Sequence, residues 1–242
     1  MTSARQITPV ERRFVLMIDQ LVVFVALHWL LLVVLALVIY AGLPIFAPVL
    51  MHYGVTGPAD AIYRVYSLTC HQLSYRSFFL FGSQPAYNID QLHALVPSAA
   101  DEGMLSLYWR DYLGNPDLGF KMAWCERDAA IYLAMILASV IFAGLRRQLK
   151  PLNWRVYLLF VAPIAVDGLW QLVTSPTLLL PFLPVHESTP ALRLLTGALF
   201  GLGSVWFIFP YIQVAMSDAH TDALAQYRRG KEHESALSKV NK

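Results

Sequence analysis

Cys70 and Cys125 are the only cysteines in the 242-residue chain, and each stands beside other residues capable of chemistry, in Cys70-His71 and Cys125-Glu126-Arg127-Asp128. Two thiols, an imidazole and a carboxylate are the donor types of a four-ligand transition-metal site, with zinc or another divalent ion as the natural guest. The spacing is not that of a zinc finger, because there is no Cys-x-x-Cys. Neighbouring helical residues diverge by about 100°, so Cys70 and His71 both face inward only if the helix is locally distorted. Two readings compete with a metal: one Cys70–Cys125 disulfide in an oxidising compartment, or two free thiols. Cys125 and Asp128 share a helix face, and Glu126 and Asp128 also suit a helix N-terminus, where the macrodipole favours negative charge.

A second group centres on Asp167, which interrupts an apolar run about twelve residues from its start. A lone carboxylate at that depth in a bilayer costs at least about 3 kcal/mol, so a cationic partner or a water-filled cavity is expected. Gln171 follows one turn later on the same face. Arg76, Arg127 and Arg193 are cations within reach, with Arg64 as a further choice. An Asp167–arginine pair that merely locks a bundle is one outcome, and a functional carboxylate is the other. Arg76, Arg127, Asp167, Gln171 and Arg193 are therefore the candidates for a ligand pocket.

The elements that position these residues are apolar. The chain is 57% hydrophobic and 14% charged, against about 25% charged for a soluble domain. Four runs are long enough to cross about 30 Å of hydrocarbon as helices: 21–43, 125–145, 156–173 (with Pro163 inside) and 192–214. The first exceeds the roughly 7–15 residues of a signal-peptide core and lacks a clear small-x-small cleavage site, so it reads as a retained anchor. Gly197 and Gly201 form a small-xxx-small step, read as general helix packing.

Four crossings put residues 1–20, the 146–155 turn and the tail 217–242 on one side, with twelve of the eighteen basic residues. Positive-inside then predicts that both termini are cytoplasmic in the plasma membrane, with 44–124 and the 175–190 loop outside. A net charge of +2 and no basic stripe exclude a nucleic-acid partner. The expected fold class is all-α, a four-span transmembrane bundle with an extra interfacial helix and an extracytoplasmic loop elaboration.

That outer region predicts an interfacial helix over 59–81, between Gly57-Pro58 and Gly82, with Arg64, His71 and Tyr75 on one stripe. Asp101-Glu102 reads as the acidic start of a short amphipathic helix, closed by a turn at Gly114-Asn115-Pro116. Tyr108, Trp109, Tyr112, Phe120 and Trp124 suit a membrane-interface belt. The tail reads as a helical extension that frays into disorder.

The polar blocks also carry a resemblance. Cys70-His71-Gln72, Arg76-Ser77-Phe78 and Phe81-Gly82 are followed by Cys125-x-Arg127-Asp128 running into Ile131-Tyr132. Asp167-Gly168-x-x-Gln171 and Leu192-Arg193-x-x-Thr196-Gly197 complete the set. Taken in order, these blocks cover most of residues 65–205 and resemble domain-of-unknown-function family 2085, multi-pass membrane proteins of bacteria and archaea. Shorter members read Cys-x-Arg-Cys-x-Gly at the second block, so the resemblance implies that Asp128 and Ala130 replace a cysteine and a glycine. It supplies membership and a motif list but no reaction.

No Walker loop, Rossmann fingerprint, GxSxG or HExxH is present. Two separated cysteines make a poor thiol relay, His28 is the only histidine inside a run, and no internal repeat supports alternating access. Two functions remain. The first is an outward polar pocket that binds a metal, lipid or small polar ligand. The second is a non-catalytic structural or assembly subunit, with a membrane-complex partner or a second copy of the chain.

Overall fold

The computed structural model of the chain describes residues 9–104, 106–174 and 185–240. Most of the 175–190 loop, Arg5 and Lys242 lie outside the described residues. Four helices are long and apolar enough to cross a membrane: α1 (Pro9–His52), α5 (Glu126–Leu145), α6 (Trp154–Val173) and α7 (Pro190–Val240). The expected spans 21–43, 156–173 and 192–214 fall within them, and 125–145 coincides with α5 apart from Cys125, which caps it. α1 and α7 extend further because each provides the other with a partner. Gln20 Nε2 donates to Tyr227 Oη at 2.9 Å, and a side chain at Gly230 would strike Leu16. The tail, expected to fray, is therefore helical to Val240.

Close approach of backbones sets the α5–α7 contact. A Cβ at Gly197 would stand 2.7 Å from the Arg127 carbonyl oxygen, and one at Gly201 would collide with that of Ile131. The small-xxx-small step thus packs two helices of one chain.

α1 carries Pro44 and Pro48 in its interior. Each lacks an N–H, which frees the carbonyl four residues earlier. The freed Tyr40 carbonyl accepts the Tyr66 hydroxyl at 2.7 Å, and the freed Pro44 carbonyl accepts the Ala123 N–H at 3.1 Å. The two prolines thereby become docking points for the region between α1 and α5, and Ala47, Ala59, Tyr63, Tyr66 and Ala123 pack around the contact.

That region forms a polar cap over one end of the bundle. It contains α2 (Thr56–Tyr66), a 3-10 turn at Ser74–Arg76, β1 (Phe79–Leu80), α3 (Ile89–Leu95), α4 (Tyr108–Asp111), β2 (Gly114–Asn115) and β3 (Gly119–Lys121). The strands form an antiparallel sheet in the order β1-β3-β2, with Phe79 opposite Lys121 and Gly114 opposite Phe120. Asn115 Oδ1 accepts the Asp117 and Leu118 N–H groups at 3.0 and 2.8 Å, which closes the β2–β3 turn. The fold is mainly α, and this small sheet is the departure from the all-α expectation.

Two further expectations are corrected. The acidic helix after Asp101 does not form there, since Glu102 instead accepts the Ser106 hydroxyl and its carbonyl bonds His93 Nε2 at 2.8 Å. Trp109 and Trp124 are not belt residues either, being 0% and 1% exposed. Trp109 sits in the cap's own core with Tyr75, Phe79, Tyr87 and Leu92, because a cap of this length must bury apolar surface of its own.

Candidate functional site

The helix expected over 59–81 stops at Tyr66, and the chain passes Cys70 as a loop. Tertiary hydrogen bonds outcompete local helix propensity here. Gln72 adopts a left-handed φ of 52°, and its buried amide donates to the carbonyls of Tyr63 (2.9 Å) and Ala123 (2.8 Å). Its own carbonyl accepts Lys121 Nζ at 2.7 Å, and the same ammonium reaches the Arg110 carbonyl at 2.5 Å and that of Trp109 at 3.3 Å. Burial pushes Lys121 down to about 7, with Asp111 acting against that shift. The loop held in this way buries Cys70 and leaves His71 exposed.

Cys125 is the N-cap of α5, with extended backbone and its sulfur accepting the Asp128 N–H at 3.4 Å. Its thiol donates in turn to Asp128 Oδ2 at 3.2 Å. The Asp128 carboxylate is therefore turned to the cysteines rather than used as a cap. The sulfurs of Cys70 and Cys125 and a carboxylate oxygen of Asp128 all lie within 4.8 Å of one another. The two thiols are free. The hydrogen bond to Cys125, then burial and the nearby negative charge push the Cys70 thiol up. His71 does not join this group: the set expected as four is three, because the left-handed turn at Gln72 leaves the imidazole at the rim.

A network of ion pairs stands beside the three donors. Arg193, 3% exposed, donates through Nη1 to Glu126 Oε2 at 2.8 Å and through Nη2 to Glu187. Glu187 is also gripped by Arg76, with Nε and Nη2 at 2.8 and 2.5 Å in a two-pronged contact. Arg127 pairs with Asp167 and reaches Gln171 Oε1 at 3.4 Å. Asp167 also accepts the Ser188 hydroxyl, and His186 Nε2 stands 3.5 Å away. Arg64 is exposed on α2 and takes no part in these pairs.

Between the network and the three donors lies a cavity of about 210 Å³, lined by Cys70, His71, Arg76, Cys125, Arg127, Asp128, Gln171 and Arg193 among others. Polar atoms without partners remain buried around it, including Arg127 Nε, Gln171 Nε2 and Arg193 Nε. The charges are informative. Three arginines cancel Glu126, Asp167 and Glu187 pairwise, whereas Asp128 has a thiol neighbour and, among the described residues, no cation within ion-pair distance. The site is thus left with one negative charge and two thiols.

The structure therefore sets Arg76, Arg127, Gln171 and Arg193 on the cavity wall with Asp167 paired to Arg127, and it brings Cys70, Cys125 and Asp128 together while His71 stays at the rim. Sequence reasoning missed Glu187, His186 and Ser188, and credited Glu126 only with helix-end electrostatics. The available signal was the run His186-Glu187-Ser188 directly before an apolar segment, where polar side chains need a reason to sit at a membrane boundary.

Replacing Arg193 with methionine leaves Glu126 buried without a counter-charge, and the expected cost is about 3–5 kcal/mol. Thermal unfolding of the detergent-purified protein should show a marked drop for Arg193→Met and partial recovery for Arg193→Met with Glu126→Gln. Unchanged melting in the single variant would mean that the pair does not hold the helices.

Residues 118–207 match the family model described as "Predicted membrane protein (DUF2085)". The chain is also 25% identical over 190 residues to an uncharacterized protein of Methanocaldococcus jannaschii, a match covering 76% of this chain and 91% of the archaeal one. No solved structure matches. The matched stretch contains Cys125, Arg127, Asp128, Asp167, Gln171 and Arg193, and with four helices fit to span a bilayer the chain is a multi-pass membrane protein that bears out the resemblance to domain-of-unknown-function family 2085.

Proposed function

We propose that this protein binds a soft or borderline divalent cation, zinc foremost, through Cys70, Cys125 and Asp128 at the edge of a polar cavity on the outer face of the plasma membrane. The observation that carries the reading is the meeting of three donor atoms within 4.8 Å beside a cavity whose other charges already cancel. Two sulfurs bonded to one zinc at about 2.3 Å stand at most about 4.6 Å apart, so small side-chain rotations suffice. Three protein ligands leave a fourth position free, which is the pattern of catalytic rather than closed structural zinc. A bound ion would polarise an oxygen or acidify a water there. Gln171 and Arg127, each with a buried unpaired N–H, are placed to orient a small oxygen-bearing guest.

The ion pairs by themselves favour a second reading, a structural or assembly subunit in a larger complex or homo-oligomer. That reading leaves the Asp128 carboxylate, the Cys70 thiol and the cavity without a role. The outward placement rests on the basic residues, twelve of eighteen on the side of both termini.

Elemental analysis of the purified protein should find about one zinc per chain. Cys125→Ser and Asp128→Ala should lose it, while His71→Ala keeps it. Zinc-free wild type would end the reading, as would thiols that react only after reduction. Orientation has a separate test in a Cys70→Ser/Cys125→Ser background. An impermeant maleimide should label Leu107→Cys on intact cells but reach Asp218→Cys only after permeabilisation, and the reverse pattern would invert the topology.

A further inference from the structure

A second cavity, of about 480 Å³, lies at the other end of α5, where that helix meets α1 and α7. α5 is 20 residues long, so at about 1.5 Å per residue the two ends are a hydrocarbon thickness apart. The second cavity therefore opens near the opposite membrane face. Its walls have a polar and an apolar side. Gln213, Ser217 and His220 follow one another on a single face of α7, and Arg146 and Arg147 close the end of α5. Trp29 forms the inner wall at 4% exposure, while Leu27 and Val214 at the rim are 58% and 61% exposed and face lipid.

The polar side has capacity to spare. Among the described residues neither arginine has an acidic partner, and the buried Gln213 Oε1 has no hydrogen-bond partner. A helix C-terminus accounts for some attraction to cations, but not for a cavity with an unpaired amide behind them. A volume of this size suits a small organic group rather than a lone ion.

We infer that this cavity binds the headgroup of an anionic phospholipid. Arg146 and Arg147 take the phosphate, Gln213 and Ser217 meet headgroup hydroxyls, and the acyl chains leave over Leu27 and Val214. Basic pockets between spanning helices recognise such headgroups, and the anionic leaflet is the cytoplasmic one, on which the proposed orientation places this end. The site is independent of the metal reading, since none of its residues belongs to the other cavity.

The test is native mass spectrometry of the full chain in neutral detergent with phosphatidylglycerol, phosphatidylcholine or inorganic phosphate added. Phosphatidylglycerol should be retained in preference to phosphatidylcholine. The preference should fall about fivefold for Arg146→Gln or Arg147→Gln and roughly thirtyfold for both. Arg228→Gln/Arg229→Gln, basic residues outside the cavity, should keep it. Both cavity arginines are exposed, so the variants should elute and melt as the wild type does. Equal retention of the two lipids, or an unaltered preference in the double variant, would overturn the assignment. Displacement of the lipid by inorganic phosphate alone would replace it with a free-phosphate site.

Discussion

The guanidinium of Arg193 is held at 3% exposure between Glu126 and Glu187, and the polar end of the bundle depends on that arrangement. A buried charge is tolerable only when it is paired and hydrogen-bonded. The first turn of α5, the segment before α7 and the turn bearing Arg76 must therefore dock together or not at all. Such pairs rarely add net stability over an apolar core, but they select one arrangement among many. Here the selected arrangement sets Cys125, at the start of α5, against the loop that carries Cys70.

The cap is placed by a different device. Helix interiors normally consume their own carbonyls, and a proline returns one to the surroundings. Pro44 and Pro48 return two on the same stretch of α1, where the hydroxyl of Tyr66 and the N–H of Ala123 use them. Gln72 and Lys121 then tie the Cys70 loop to β3 and to the chain leading into α5. The Lys121 ammonium is thereby satisfied by three carbonyls within the cap. The Cys70 thiol and the Asp128 carboxylate remain without an ion-pair or capping duty, and Cys125, which caps α5 with its sulfur, stands between them.

Much of this was legible in the sequence. Hydropathy and length mark the four spans because a bilayer demands long uncharged helices. The cost of Asp167 in an apolar run points to a cationic partner, and Arg127 fills that role. The course of the chain through the cap was not legible. Residues 59–81 have helical composition without Gly or Pro, and only tertiary bonds to Gln72 show that the helix must end. Trp109 and Trp124 likewise carry no local sign of whether they face lipid or a core. One of the two partners of Arg193 was hidden because Glu187 lies in a loop, where periodicity says nothing. His71 was grouped with Cys70 by adjacency, and the turn at Gln72 separates them.

The central claim is that Cys70, Cys125 and Asp128 share one cation. X-ray absorption at the zinc edge of the purified protein tests it most directly. The account predicts two sulfur neighbours at about 2.3 Å and oxygen or nitrogen neighbours at about 2.0 Å, with sulfur scattering diminished in Cys70→Ser. A spectrum with light scatterers only would place the ion elsewhere and contradict the account.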